Sequence, residues 1–229
     1  MKILLFLSAL VYAAESACKE GELTELEQAV LDAHNELRKN HEGTEPLCYA
    51  ESGDDVTFIS QQWADSMAET AKGYMDMHHS TGEYGENLAY AGSSGDRPGQ
   101  KESYIRASKS WYSEIEDWNF KTHQSNGGVT GHFTQLVWKE SKQLNCGYAE
   151  FITDKSYNAY FVVCQYFPRG NFGGTDDFAL QVGQPADGAD LSEYNIGGDG
   201  GDGDDGSNAT ALFSSTVFAL VATIFFLLY

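Results

Sequence analysis

Apolar positions recur at helical spacing through the first half of the chain and gather into two strand-like runs in the second. Thr24, followed three residues later by Glu27, has the form of a capping box, and Leu26, Val30, His34 and Leu37 then share one helical stripe. A second helix is expected after Asp54 and Asp55, because Val56, Ile59, Trp63, Met67, Ala71 and Tyr74 fall on one face. A third is expected over 104–118, where Trp111, Ile115 and Trp118 align. Residues 146–153 and 157–166, rich in aromatic and β-branched side chains, predict two strands. A turn at Asp154, Lys155 and Ser156 pairs Thr153 with Tyr157, and that register sets Cys146 opposite Cys164. Helices first and a hairpin last predict an α+β domain.

The cysteines extend this picture. Four of them in a chain with a secretory-type start imply two disulfides, for which three pairings exist. Directly opposed strand positions have Cβ atoms about 4.5–5.5 Å apart, close enough for a Cys146–Cys164 bridge after small adjustment. Cys18 and Cys48 then pair by parity, closing a loop of roughly 30 residues that contributes about 3 kcal/mol in the loop-entropy picture. No free thiol would remain to act as a nucleophile.

Both ends read as addresses. Lys2 followed by the apolar residues 3–14, interrupted only by Ser8, describes a signal peptide over 1–17 with cleavage between 13 and 17. Residues 217–229 are almost wholly apolar and follow an uncharged spacer and the small residues Ser207, Asn208 and Ala209. That order predicts a glycosylphosphatidylinositol-attachment signal over 209–229, with Ser207 or Asn208 as the lipid-bearing residue. A type I span is the rival reading, but it needs about 20 apolar residues and usually basic residues beyond them. Asn208 also opens a glycosylation sequon with Thr210, for which lipid attachment would compete.

Charge narrows the partners. The formal net charge is −20, which disfavours nucleic acid and anionic membrane surfaces as direct partners. Residues 174–208 contain no Lys or Arg, and the Gly- and Asp-rich run at 197–206 lacks the spaced apolar residues of a calcium-binding repeat. The expectation is a folded domain over 18–175 and an acidic flexible stalk over 176–208.

Candidate chemistry begins with Glu114, three residues after Trp111 and four before Trp118, which sets a carboxylate on an aromatic helix face. Four segments then carry a resemblance: GHFTQLVWKES at 131–141, FVVCQYFPRGNF at 161–172, HNELR at 34–38 and GENL at 85–88. The last two lie upstream of the first two, and in chain order the four resemble the motifs of the CAP superfamily, the cysteine-rich secretory, antigen 5 and pathogenesis-related proteins. The resemblance spans residues 24–175. It implies a three-layer α–β–α sandwich with a central, mostly antiparallel sheet, and the same Cys146–Cys164 bridge. It also implies a cleft where two histidines and two acids converge, which here selects His79, Glu86, Glu114 and His132. His79 and His132 would hold Zn2+ or another divalent metal, with Glu86 and Glu114 as cleft acids and as candidates for catalysis. His78 is the neighbour that could replace His79; His34 reads as core, and His41 and His123 as solvated.

Three functions are compatible with these residues. The first is an extracellular binding module for a lipid, sterol or protein partner, tethered to the membrane by its C-terminal anchor or tail. The second is a metal-dependent hydrolase or peptidase, since the same four groups can polarise water. The third is a structural or defence-associated surface protein with a vestigial cleft, which a complete tetrad disfavours.

Overall fold

Thr24 opens the first helix as its spacing predicts. The Thr24 hydroxyl accepts from the Glu27 amide, and the Glu27 carboxylate accepts from the Thr24 amide at 2.7 Å, starting α1 (Glu25–Arg38). The computed structural model describes residues 18–50 and 58–194. The expected signal peptide, residues 195–208 of the expected stalk, and the tail signal with Ser207 and Asn208 lie outside the described residues. Among the described residues no helix is long and apolar enough to cross a membrane.

The centre is a four-stranded sheet of β1 (Cys48–Tyr49), β2 (Gly85–Ser93), β5 (Gln143–Ile152) and β6 (Asn158–Phe167), in the order β1-β5-β6-β2. β1 runs parallel to β5 and the other pairs are antiparallel. A separate two-stranded ribbon joins β3 (Trp118–Asn119) to β4 (Gln124–Ser125). The β5–β6 hairpin places Cys146 opposite Cys164, and these two are bonded with a Cα–Cα separation of 4.2 Å. Cys18 and Cys48 are bonded too, and no described cysteine is free.

Strand alternation divides the core into two layers. Val162, Cys164 and Tyr166 of β6 face α1, α3 (Gln100–Ser113) and α4 (Gly131–Val137). Phe161 and Val163 point the opposite way, with Leu88 and Tyr90 of β2, toward Ala64 and Met67 of α2 (Ser60–Thr70). The result is the α–β–α sandwich. α2 lies so close to the sheet that a Cβ on Gly147 would collide with the Gln61 backbone, which explains a glycine inside a central strand.

Two helices differ from their sequence expectation. α2 starts at Ser60 and ends at Thr70, so Ala71 lies beyond it and Tyr74 enters a short 3-10 turn (Tyr74–Asp76). α3 begins earlier than position 104, just past Pro98 and Gly99, and stops before Glu114. A 3-10 turn (Glu114–Asp117) follows, and Trp118 belongs to β3. That tighter turn swings Glu114 toward the start of α4, a tertiary contact that no local periodicity encodes.

The domain also extends past the expected boundary at 175. Residues 175–194 are packed on it: α5 (Thr175–Gln181) is followed by Val182, which is 1 % exposed, and Tyr194 meets Tyr112 edge-on. Composition averaged over 174–208 conceals Phe178 and Val182, one inside α5 and one just past its end. This strap also buries His41, which is not solvated. His41 Nδ1 bonds the Gly183 carbonyl and its Nε2 bonds the Tyr112 hydroxyl. Burial lowers its pKa to about 4. His34, wholly buried between the Val30 carbonyl and the Tyr166 hydroxyl, is likewise lowered to about 4 by burial.

Candidate functional site

The cleft opens between the loop before β2, the start of β2, the first turns of α4 and the turn after β6. His79, Tyr84, Glu86, Asn87, His132, Gln135, Arg169 and Asn171 are among its lining residues, and its volume is about 420 Å³. That size lies within the range of small-ligand sites.

Half of it is built on β2. Glu86 follows Gly85, where any Cβ would strike the Gln135 amide, so the strand and α4 can approach only through a glycine. The Glu86 side chain is 5 % exposed. Its Oε1 accepts from His79 Nδ1 and from the Ser80 amide, both at 2.9 Å. Its Oε2 accepts from the Ser80 hydroxyl and from Gln165 Nε2. Burial opposes the anion, but the His79, Ser80 and Gln165 donors outweigh it and hold the carboxyl below its ordinary value. His79 itself is about one-third exposed, at 33 %.

The other half is built on α4. Glu114 Oε2 accepts from the backbone amides of His132 and Phe133, at 2.9 and 3.1 Å, so it caps the helix from a distant segment. Its Oε1 accepts from His132 Nδ1 at 2.7 Å. The two side chains are 4–5 % exposed, and the His132 ring stacks nearly parallel to Trp111. Asn87 holds the helix from the sheet side, donating to the His132 carbonyl and to the Tyr166 hydroxyl. Tyr166 in turn contacts His34, so the buried histidine of α1 braces the site without entering it.

Each expected cleft residue thus has a definite place. His79, Glu86 and His132 line one cleft, whereas Glu114 sits behind His132 and does not line it. His78 turns away from the cleft, its Nδ1 on the Asp76 carbonyl and its ring edge-on to Trp63. Both carboxylates serve the imidazoles: each accepts from a ring Nδ1, and no described residue bonds either Nε2. Spacing alone does not reveal the supporting residues Ser80, Asn87 and Gln165. Ser80 and Asn87 adjoin His79 and Glu86 in sequence, but Gln165 is reached only through strand pairing, opposite Glu86.

The human (Homo sapiens) Golgi-associated plant pathogenesis-related protein 1 is 38 % identical over 142 residues, which is 62 % of this chain and 82 % of that protein. Secreted protein RBT4 of Candida albicans is 33 % identical over 153 residues, 67 % of this chain and 37 % of that one. Among solved structures, the crystal structure of NaASP2 with Zn2+ aligns over 69 % of this chain and 87 % of that chain, at 23 % identity and a TM-score of 0.39. The model of the CAP, or cysteine-rich secretory protein, family matches residues 31–166, more than half of the sequence, and the chain belongs to that family.

Proposed function

We propose that this protein is an extracellular CAP-domain binding module whose cleft takes a divalent transition metal, zinc first, on His79 and His132. The observation that carries this reading is the repeated pair: in both halves of the cleft a carboxylate accepts from Nδ1 of a lining histidine. Metal-bound histidines characteristically donate their second ring N–H to a carboxylate or carbonyl, which fixes the tautomer and leaves the other nitrogen for the metal. Two neutral imidazoles fit zinc as partial ligands, with solvent or a bound molecule completing the four positions that zinc prefers. Among the described residues no group of three or more His, Cys, Asp or Glu could hold a metal, so the site would be open and of moderate affinity. A bound metal would supply Lewis acidity to whatever oxygen or nitrogen ligand fills the cleft.

Both oxygens of Glu86 and of Glu114 already accept hydrogen bonds from described residues, so neither stands free as a general base. An extracellular location is supported by the two disulfides and by the secreted relative. Calorimetry with zinc on the purified protein checks the metal reading: saturable heat in wild type, lost in the His79→Ala plus His132→Ala double variant. Unchanged heat in that variant refutes it. Mass spectrometry of extracts from the native protein then identifies a lipid or sterol passenger.

A further inference from the structure

We infer that Arg169 makes this cleft selective for ligands bearing an oxyanion, a carboxylate or a phosphate monoester, placed beside the two histidines. The inference rests on the cleft reading above and adds the chemical class of ligand.

The chain has four arginines, and three of them are occupied. Arg38 is fully buried and donates to the carbonyls of Glu45, Leu136, Trp138 and Ser141, tying α1 to the end of α4. Burial lowers even its pKa, to about 10. Arg97 pairs with Glu150 and Arg106 with Glu102. Arg169 is exposed, lines the cleft and has no carboxylate or carbonyl partner among the described residues. In a chain with 34 acids against 14 Lys and Arg, acidic partners are abundant, so an unpaired guanidinium at a cleft is a chemical choice rather than a shortage of counter-charge.

The backbone that presents Arg169 is held firmly. Pro168 accepts through its carbonyl from the Ser141 hydroxyl at 2.8 Å. Gly170 donates its amide to Gln135 Oε1 at 2.9 Å. Asn171, at a left-handed φ of 56°, donates to the Gly131 carbonyl and accepts from the Thr134 hydroxyl, both at 2.7 Å. The residues after Arg169 are therefore fastened to α4, the helix that carries His132, and Pro168 before it to Ser141, just past that helix, while the guanidinium remains open. Such preorganisation reduces the ordering cost of binding. A guanidinium presents a planar fork of N–H donors that matches carboxylate and phosphate oxygens. Of the other charges in the lining, Glu86 is consumed by His79, Ser80 and Gln165, so it does not compete for the guanidinium. The large negative charge of the chain does not forbid an anion here, because distant acids are screened beyond about 8 Å at physiological salt.

The test uses metal-free full-length protein and two probes, N-acetylglycine and phenyl phosphate, followed through the imidazole proton resonances of His79 and His132. Wild type is expected to show saturable shifts with at least one probe, weakening as salt rises. Arg169→Gln is expected to weaken that binding roughly 10-fold or more, and Arg169→Lys to restore part of it. The stronger probe decides between carboxylate and phosphate. No saturable shift with either probe in wild type, or equal affinity in Arg169→Gln, overturns the inference. The metal reading is judged separately, by the zinc titration of the histidine double variant.

Discussion

The two halves of the cleft use the same pair of groups, yet they are coupled to the fold very differently. His132 and Glu114 are buried, and the carboxylate that orients the ring also terminates α4. His79 stands one-third exposed on a loop, and its partner Glu86 is fixed by one other loop residue and one strand residue. One half of the site is therefore part of the buried core around α4, and the other is a surface loop drawn onto a strand end. Chemically equal positions need not be energetically equal. A pair whose acid also satisfies helix amides cannot be altered without loosening the helix, whereas a loop pair can change while the domain stands.

Mutation should expose that asymmetry. The largest effect is expected for Glu114→Ala, which strands two helix amides and a buried ring N–H; a loss on the order of 3 kcal/mol in urea unfolding is expected. A loss below about 1 kcal/mol would erase the distinction between the halves. Next, Glu86→Gln should leave the fold in place but lower zinc affinity about 10-fold to 100-fold, because the carboxylate that orients His79 is replaced by a neutral amide, a weaker acceptor. Unchanged zinc heats in this variant would show that the loop half does not depend on its carboxylate. His79→Ala is the mildest for stability, with less than about 1 kcal/mol expected for a group this exposed, measured in the same urea series.

Acid titration sharpens the comparison further. Glu86 is held below its ordinary value when folded, so its contribution is complete above the unfolded pKa near 4.5 and fades as pH falls through the folded value. Wild type should therefore lose stability below about pH 4.5 more steeply than Glu86→Gln. Before that point, His34 and His41 act in the same direction. Both are lowered to about 4, so the unfolded chain takes up protons from about pH 6.5 that the folded chain refuses, and stability declines from 6.5 toward 4. A flat stability profile across that window would contradict the burial of those two rings.

Much of the fold was legible locally. The capping box of Thr24 and Glu27, the stripe through Val30 and Leu37 and the hairpin register through Cys146 and Cys164 all follow from short-range pattern, and each has its counterpart in space. The end of α3 and the fate of residues 175–194 were not legible. Helical periodicity carries through Glu114 to Trp118, and nothing nearby in sequence says that the carboxylate leaves the helix to cap another. Composition likewise marked the strap as stalk, because a few packing residues among many acids and glycines barely change an average.

The amino-acid order by itself determined which residue types were available for the cleft, the family motifs that carry them, and the pairing of Cys146 with Cys164. Tertiary structure alone decided what each does. It set Glu114 behind its histidine rather than in the opening, covered His41 with the strap, and left Arg169 as the arginine without a partner among the described residues. The physical reason is that a side chain's chemistry depends on which donors, acceptors and solvent reach it. Those neighbours come from segments far apart in the chain, where no local pattern records them.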